Sequence, residues 1–321
     1  MRRPIVRRSE ASIVPANTAK LPAGGRDNTR PTSLRDHSLT EVFYVSPNVL
    51  AGIRVHILIR FATAVLFSIL ASPAMSQDAE SLVREAKNPF ADVTNLQFFY
   101  DANLGLEPGN QTQQVLTLQP LIPFAVSPNW SIITRTILPF ISQPGSAPGE
   151  VGMHGVGDMQ FSAFLSPTRT GSLVWGIGPI LQLPTAANEA LGQGKWGVGP
   201  IAGVQWSGVQ WTFGALINNI WSFAGEISRP AVNQMQLQPE VNYNFKDNPN
   251  RYLSFSPTIS ANWQASGGER WTVPISLGIG QLVKFGRQSV NLQTTAYYNA
   301  VAPTNASKWT LELLVQFLFP K

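Results

Sequence analysis

Between residues 234 and 245 the chain alternates without a slip. Gln234, Gln236, Gln238, Glu240, Asn242 and Asn244 fall on one side, and Met235, Leu237, Pro239, Val241, Tyr243 and Phe245 on the other. Successive side chains of a strand point to opposite faces, so a period of two held this long dictates a strand with one polar and one apolar face. The next segment repeats the pattern, with Leu253, Phe255, Pro257, Ile259, Ala261 and Trp263 set against Ser254, Ser256, Thr258, Ser260, Asn262 and Gln264. Read this way, residues 95–106, 112–126, 129–141, 156–166, 172–183, 195–206, 209–222, 233–246, 252–264, 270–285, 288–299 and 308–319 are twelve predicted strands. No helical period of comparable strength interrupts them.

The connections alternate in character. Tight polar turns fall at 127–129, 167–171, 207–208, 246–250 and 286–287, while the intervening connections include the longer 142–155 and 184–194. An even strand count, with tight turns at one end and longer loops at the other, is the signature of a transmembrane antiparallel barrel. A soluble β-sandwich or lipocalin-like barrel is the alternative. It would carry Lys, Glu and Asp on its polar face, yet here that face is Gln, Asn, Ser, Thr and Gly, and only 13% of the chain is charged. The apolar face ends in large rings. Trp130, Trp206, Trp211, Tyr252, Phe285 and Phe319 lie near the tight-turn ends, and Phe140, Trp196, Trp221, Trp263, Trp271, Tyr298 and Trp309 near the long-loop ends. Two belts of amphipathic rings separated by about 25 Å of aliphatic strand suit two membrane interfaces. Prolines at 120, 139, 179, 200, 239, 257 and 274 count against ideal strands, since each removes a ladder donor.

The charge is uneven along the chain. Residues 1–76 carry ten basic residues against four acidic ones, so the high isoelectric point belongs to this leader, and the remainder has a net charge of −1. A nucleic-acid partner, which needs a basic face on the folded domain, loses its support. Residues 54–76 have the three parts of a secretory signal: Arg54 and Arg60, the uncharged run 61–71, and small residues at Ala74 and Ser76 before Gln77. Eleven uncharged residues span about 16 Å as a helix, too short for roughly 30 Å of hydrocarbon. The expected organisation is a disordered or mis-annotated extension over 1–53, a signal peptide over 54–76, a periplasmic segment or plug over 77–94 and an outer-membrane barrel over 95–321.

Chemistry is sparse. With no cysteine and one histidine, His154, past the leader, neither a metal site nor a bound cofactor is expected. His154 lies near Ser142 and Ser146, so a loop-based lipid hydrolase is one conceivable activity, but no Gly-x-Ser-x-Gly is present and no catalytic set is assigned. The Gly-x-Gly pairs at 155/157, 176/178, 197/199 and 278/280 put both glycines on one strand face and read as a wall without side chains rather than a nucleotide loop. Alternation places Asp101, Arg135, Asp158, Lys195, Gln238, Glu240, Lys284 and Glu312 on the polar, pore-lining face. Arg135 is expected toward the long-loop end of its strand, within reach of Asp158. Inward Gly176, Gly178, Gly197, Gly199 and Gly203 leave room for a ligand, an infolded loop or the segment 77–92.

Several blocks in order, Leu118-Gln-Pro-Leu-Ile-Pro-Phe124, Arg135-Thr-Ile-Leu-Pro-Phe140, Gly155-Val-Gly-Asp-Met-Gln160, Trp175-Gly-Ile-Gly-Pro179, Trp196-Gly-Val-Gly-Pro200 and Trp271 to Gly280, carry a resemblance. Over about 95–319 the chain resembles the outer-membrane family described as "MetA-pathway of phenol degradation", often grouped with transporters. The resemblance implies an outer-membrane barrel linked to aromatic catabolism, and it carries no catalytic or binding residue. Phe319-Pro-Lys departs from the bare C-terminal aromatic of barrel assembly signals. The function expected is passage of small, aromatic or hydrophobic, solutes across the outer membrane. The competing expectation is a non-transporting structural or surface-interaction barrel. Outer-membrane lipids, an unidentified small solute and the barrel assembly machinery are the expected partners.

Overall fold

The computed structural model describes residues 86–319 apart from 87, 91, 108, 146–149, 169–170 and 287. The expected extension, the signal peptide and most of the segment 77–94 lie outside the described residues. Fourteen strands run in chain order: β1 (Thr94–Leu106), β2 (Gln111–Ser127), β3 (Trp130–Gln143), β4 (Met153–Val156), β5 (Met159–Pro167), β6 (Leu173–Leu183) and β7 (Lys195–Ser207). The second half holds β8 (Trp211–Gly225), β9 (Asn233–Asn244), β10 (Arg251–Phe255), β11 (Ile259–Asn262), β12 (Trp271–Phe285), β13 (Gln288–Val301) and β14 (Trp309–Phe319).

These make a closed antiparallel barrel of twelve wall positions, because two of the twelve predicted strands are broken. β4 and β5 both pair with β3, separated by a one-residue bulge at Gly157-Asp158. β10 and β11 both lie between β9 and β12. The wall closes where β1 meets β14 in an unbroken ladder from Thr94↔Phe319 to Leu104↔Trp309. Followed once round the wall, the paired registers return to β1 displaced by about 14 residues. With strands about 4.8 Å apart this sets a tilt near 39° and a backbone diameter of about 24 Å.

The alternation read from the sequence decides which side faces out. Trp130, Trp196, Trp206, Trp211, Trp221, Trp263 and Trp309 are all exposed on the outer face, as is Trp175, and the half-buried Trp271 packs edge-on against Trp263 at 5.5 Å. Tyr252 is a correction. It has no exposed surface, and its hydroxyl lies 2.9 Å from both Asn291 Oδ1 and Gln293 Oε1 inside the barrel. Parity with the inward-facing Ser254 turns it away from the belt.

Most prolines are accommodated by breaking one ladder on one side. β2 keeps its pairing with β1 at Pro120 but loses two pairs to β3. Pro179 and Pro200 face each other across β6 and β7, and each interrupts only the ladder on its far side. A missing N–H removes one bond, and a closed ladder with many others tolerates it.

Candidate functional site

The inner wall is an amide surface. Asn103 Nδ2 donates to Gln113 Oε1 at 2.9 Å, Asn218 Nδ2 to Gln236 Oε1 at 3.3 Å, and Asn291 Nδ2 to Gln316 Oε1 at 3.0 Å. Neutral amides can donate and accept, so side chains on neighbouring strands bond one another directly without adding net charge. Two apolar clusters interrupt this surface. One joins Ile133, Phe164, Val174, Ile180, Ile201 and Ile220 with Phe90, and the other joins Ala86, Val93, Tyr252, Leu282 and Leu318.

Phe90 shows what the inward glycines accommodate. A Cβ on Gly176 would stand 2.6 Å from its ring, and one on Gly203 2.8 Å, so the ring occupies the space those missing side chains leave. It meets Phe164 edge-on at 5.5 Å. Gln316 Nε2 donates to the Ala86 carbonyl at 3.0 Å, and Asn88 Oδ1 accepts from the Phe90 N–H at 2.8 Å. The short segment ahead of β1 is thus held to opposite parts of the inner wall. Nothing local in the sequence marks Phe90 for this role, since its socket is built from β5, β6 and β7.

Beside this segment lies a lumenal cavity of 170 Å³. Four of the expected pore-lining residues, Arg135, Gln238, Glu240 and Glu312, line it together, with Gln119 and Tyr297 added by the fold. Arg135 Nη2 donates to Gln119 Oε1 at 3.1 Å, while its Nε is shut off from solvent without an acceptor. Glu240 Oε1 accepts from Asn242 Nδ2 at 2.7 Å, and Glu312 Oε1 from the Tyr297 hydroxyl at 3.0 Å. Asp101 is the register partner of Glu312 on the inner face.

The expected pairing of Arg135 with Asp158 is overturned. Arg135 stands opposite Ser162 in β5, about four residues or 13 Å nearer the tight-turn end than Asp158. Asp158 sits in the bulge between β4 and β5, where Oδ1 accepts from the Ala186 N–H at 3.2 Å and Oδ2 from the Gln193 N–H at 2.6 Å. It fastens the loop between β6 and β7 over the rim, with Leu191 of that loop buried. Lys195 is also a rim residue, donating from Nζ to the Glu226 carbonyl at 2.5 Å. Lys284 lies at the opposite end, exposed, paired in register with Ser289. Of the hydrolase candidates, Ser142 and His154 are register partners across β3 and β4, but no hydrogen bond joins them, and Ser146 lies outside the described residues. Among the described residues no group of three or more His, Cys, Asp or Glu side chains could hold a metal ion.

A closed barrel, apolar and ringed with tryptophan outside, amide-lined inside, with tight turns at one end and longer loops at the other, has the architecture of outer-membrane proteins. Among solved structures it is similar to the COG4313 outer membrane channel from Pseudomonas putida F1, with a TM-score of 0.53, 16% identity, and coverage of 71% of this chain and 95% of that one. The NanC porin matches at a TM-score of 0.45, 9% identity and coverage of 71% and 100%. Outer membrane phospholipase A from Escherichia coli matches at 0.41, 13% identity and coverage of 76% and 97%. At these identities the likeness is one of fold. No protein-family model and no curated protein matches the sequence.

Proposed function

We propose that the chain is an outer-membrane channel that passes small solutes, with the segment around Phe90 as a plug in its lumen. The observation that carries this reading is the 170 Å³ cavity inside a closed wall, lined by amides and by the charges of Arg135, Glu240 and Glu312. A cavity of about 150 Å³ is enough for one six-membered ring. The inner surface offers both amide donors and acceptors and the apolar faces of Phe99, Phe164 and Leu216, which suits a compact solute with a small apolar body. The resemblance to the phenol-degradation family points the same way, toward aromatic compounds. The lipid-facing exterior supports outer-membrane lipids as surroundings, and the reading takes delivery to be by the barrel assembly machinery after loss of a signal peptide.

Planar-bilayer recordings of the purified barrel test the reading. Steady openings that change when a small aromatic solute is added are expected, and Phe90→Ala should lengthen or enlarge them. A barrel that stays closed, with and without Phe90, would leave the structural or surface-interaction role in its place. The register pairing of Ser142 with His154 on the outer surface favours one second reading, a lipid hydrolase. It predicts phospholipid cleavage by the wild type that is lost in His154→Ala.

A further inference from the structure

At one place the barrel wall lacks both of its ladders. β10 and β11 keep a single register against β9, with Phe255↔Val241 before the break and Ile259↔Leu237 after it. They also keep a single register against β12, from Ser254↔Gly278 to Ser260↔Thr272. No residue is inserted, yet Ser256, Pro257 and Thr258 pair with neither neighbour. The Ser256 N–H bonds the Ser276 hydroxyl at 2.9 Å instead of a backbone carbonyl.

Three prolines occupy this one patch on three successive wall strands. By the shared register Pro257 stands opposite Pro239, and Thr258 opposite Pro274. Pro239 retains its partner Ala215 in β8, and Pro274 its partner Asn299 in β13, so each is intact on the side away from the gap. Pro120, Pro179 and Pro200 break one ladder each, whereas here the sequence removes donors from the patch on three strands. In a hydrocarbon environment unpaired backbone is costly and occurs only where it is covered by protein or opens on a cavity.

A hollow reaches the patch on the lumen side, and on the outer side one lies beside its edge at Phe255. The lumenal cavity reaches it through Gln238, Glu240, Ser254 and Ser256. On the outer surface a groove of 320 Å³, almost wholly apolar, is lined by Trp211, Val241, Tyr243, Leu253, Phe255 and Leu277, and also by Ser254. Ser254 therefore borders both spaces, and its buried hydroxyl has no hydrogen-bond partner. The geometry points to a lateral port: the wall from Ser254 to Thr258, held by no ladder over 256–258 and filled there by the buried Pro257, opens to let a compact apolar solute, about one ring in size, pass between the lumenal cavity and the lipid. This rests on the passage reading and adds the direction and class of what passes. Charged solutes are confined to the axial route, because the edge at Ser254 is the single polar side chain lining the otherwise apolar and aromatic outer groove apart from the Tyr243 ring.

The chain has no cysteine, so single cysteines report access to the wall directly in proteoliposomes. Phe255→Cys, facing out, should react with a lipid-anchored maleimide. Gln97→Cys, facing the lumen behind the unbroken β1 ladders, should react only with a water-soluble one. Ser256→Cys, inward by register, is expected to react with the lipid-anchored reagent within about tenfold of the Phe255→Cys rate, which only an open wall permits. Reaction as slow as that of Gln97→Cys would overturn the port. Pro257→Val returns a backbone donor and a strand-forming side chain to the gap. It should lower lipid-side labelling of Ser256→Cys at least tenfold and slow the transfer of toluene into the bilayer by a similar factor, with ion conductance unchanged. Unaltered labelling and toluene transfer in that variant would likewise refute the port. Ion conductance of the same proteoliposomes reports on passage itself, so an impermeable barrel and a sealed wall are told apart.

Discussion

The seam where the first and last strands meet and the wall between β9 and β12 are built from the same kind of strand, yet they are finished differently. From Thr94 to Leu104, β1 pairs residue for residue with β14, without a proline in that stretch of either strand. Its inner face carries Asp101 beside Glu312 and its outer face Phe98 edge-on to Phe317 at 6.1 Å. Between β9 and β12 the register is kept just as strictly, but prolines on three strands prevent the bonds from forming. Alternation gives the wall its two faces, and the ladder between β1 and β14 closes it. Whether the closed wall is also sealed depends on where donors are withheld.

The largest difference between the two regions should appear when a charge is turned to the lipid. Leu313→Arg, on the outer face of β14, has no opening within reach and should cost about 2–4 kcal/mol in urea unfolding from liposomes. Leu277→Arg, in the groove beside the gap, should cost distinctly less, because its guanidinium can reach the polar edge at Ser254. Equal penalties would erase the distinction. Next in size is Gly176→Val. A Cβ there meets the Phe90 ring at 2.6 Å, so the plug should leave its socket and conductance should rise several-fold, while the strand registers are retained. Unchanged conductance would show that the segment ahead of β1 does not limit flow.

Arg135→Ala tests the lumen between the two regions. Its guanidinium has an amide partner and, among the described residues, no carboxylate, so removing it should leave the barrel folded and shift the reversal potential toward cation preference. A gain in stability with no change in selectivity would place the side chain outside the conducting path. The smallest effect belongs to the loops over the long-loop end. The Thr304 hydroxyl and N–H both donate to the Glu269 carboxylate at 2.7 Å, and these bonds hold its pKa below the ordinary value of 4.5. A depressed carboxyl stabilises the contact above its unfolded pKa and loses that contribution as pH falls through the folded one. Protease sensitivity of the 301–307 loop should therefore rise only below about pH 4.5 and be pH-independent in Glu269→Gln.

The faces of the strands were legible in the residues because a period of two is local. Gln238 and Glu240 must point one way and Val241 the other, wherever the strand ends up. The aromatic belts, the even strand count and the tight turns followed from the same kind of local reading. Nearness to a turn puts Tyr252 in the belt, whereas its parity with Ser254 turns it inward. The depth of Arg135 is hidden from the sequence for a different reason. Its level relative to Asp158 depends on a bulge and on strand pairing, neither of which adjacent residues encode.

What the chain by itself determined is a polar inside, an apolar outside and a wall long enough to close. The tertiary structure alone decided which residues share a level. That level is set by registers accumulated around twelve strands, and one residue of slip in any of them would move every later partner. Phe90 finds its space over Gly176 and Gly203 only after three other strands are in place. Pro239, Pro257 and Pro274, separate in sequence, become one gap for the same reason: hydrogen-bond register is a property of neighbours in space, and each proline specifies only its own missing donor.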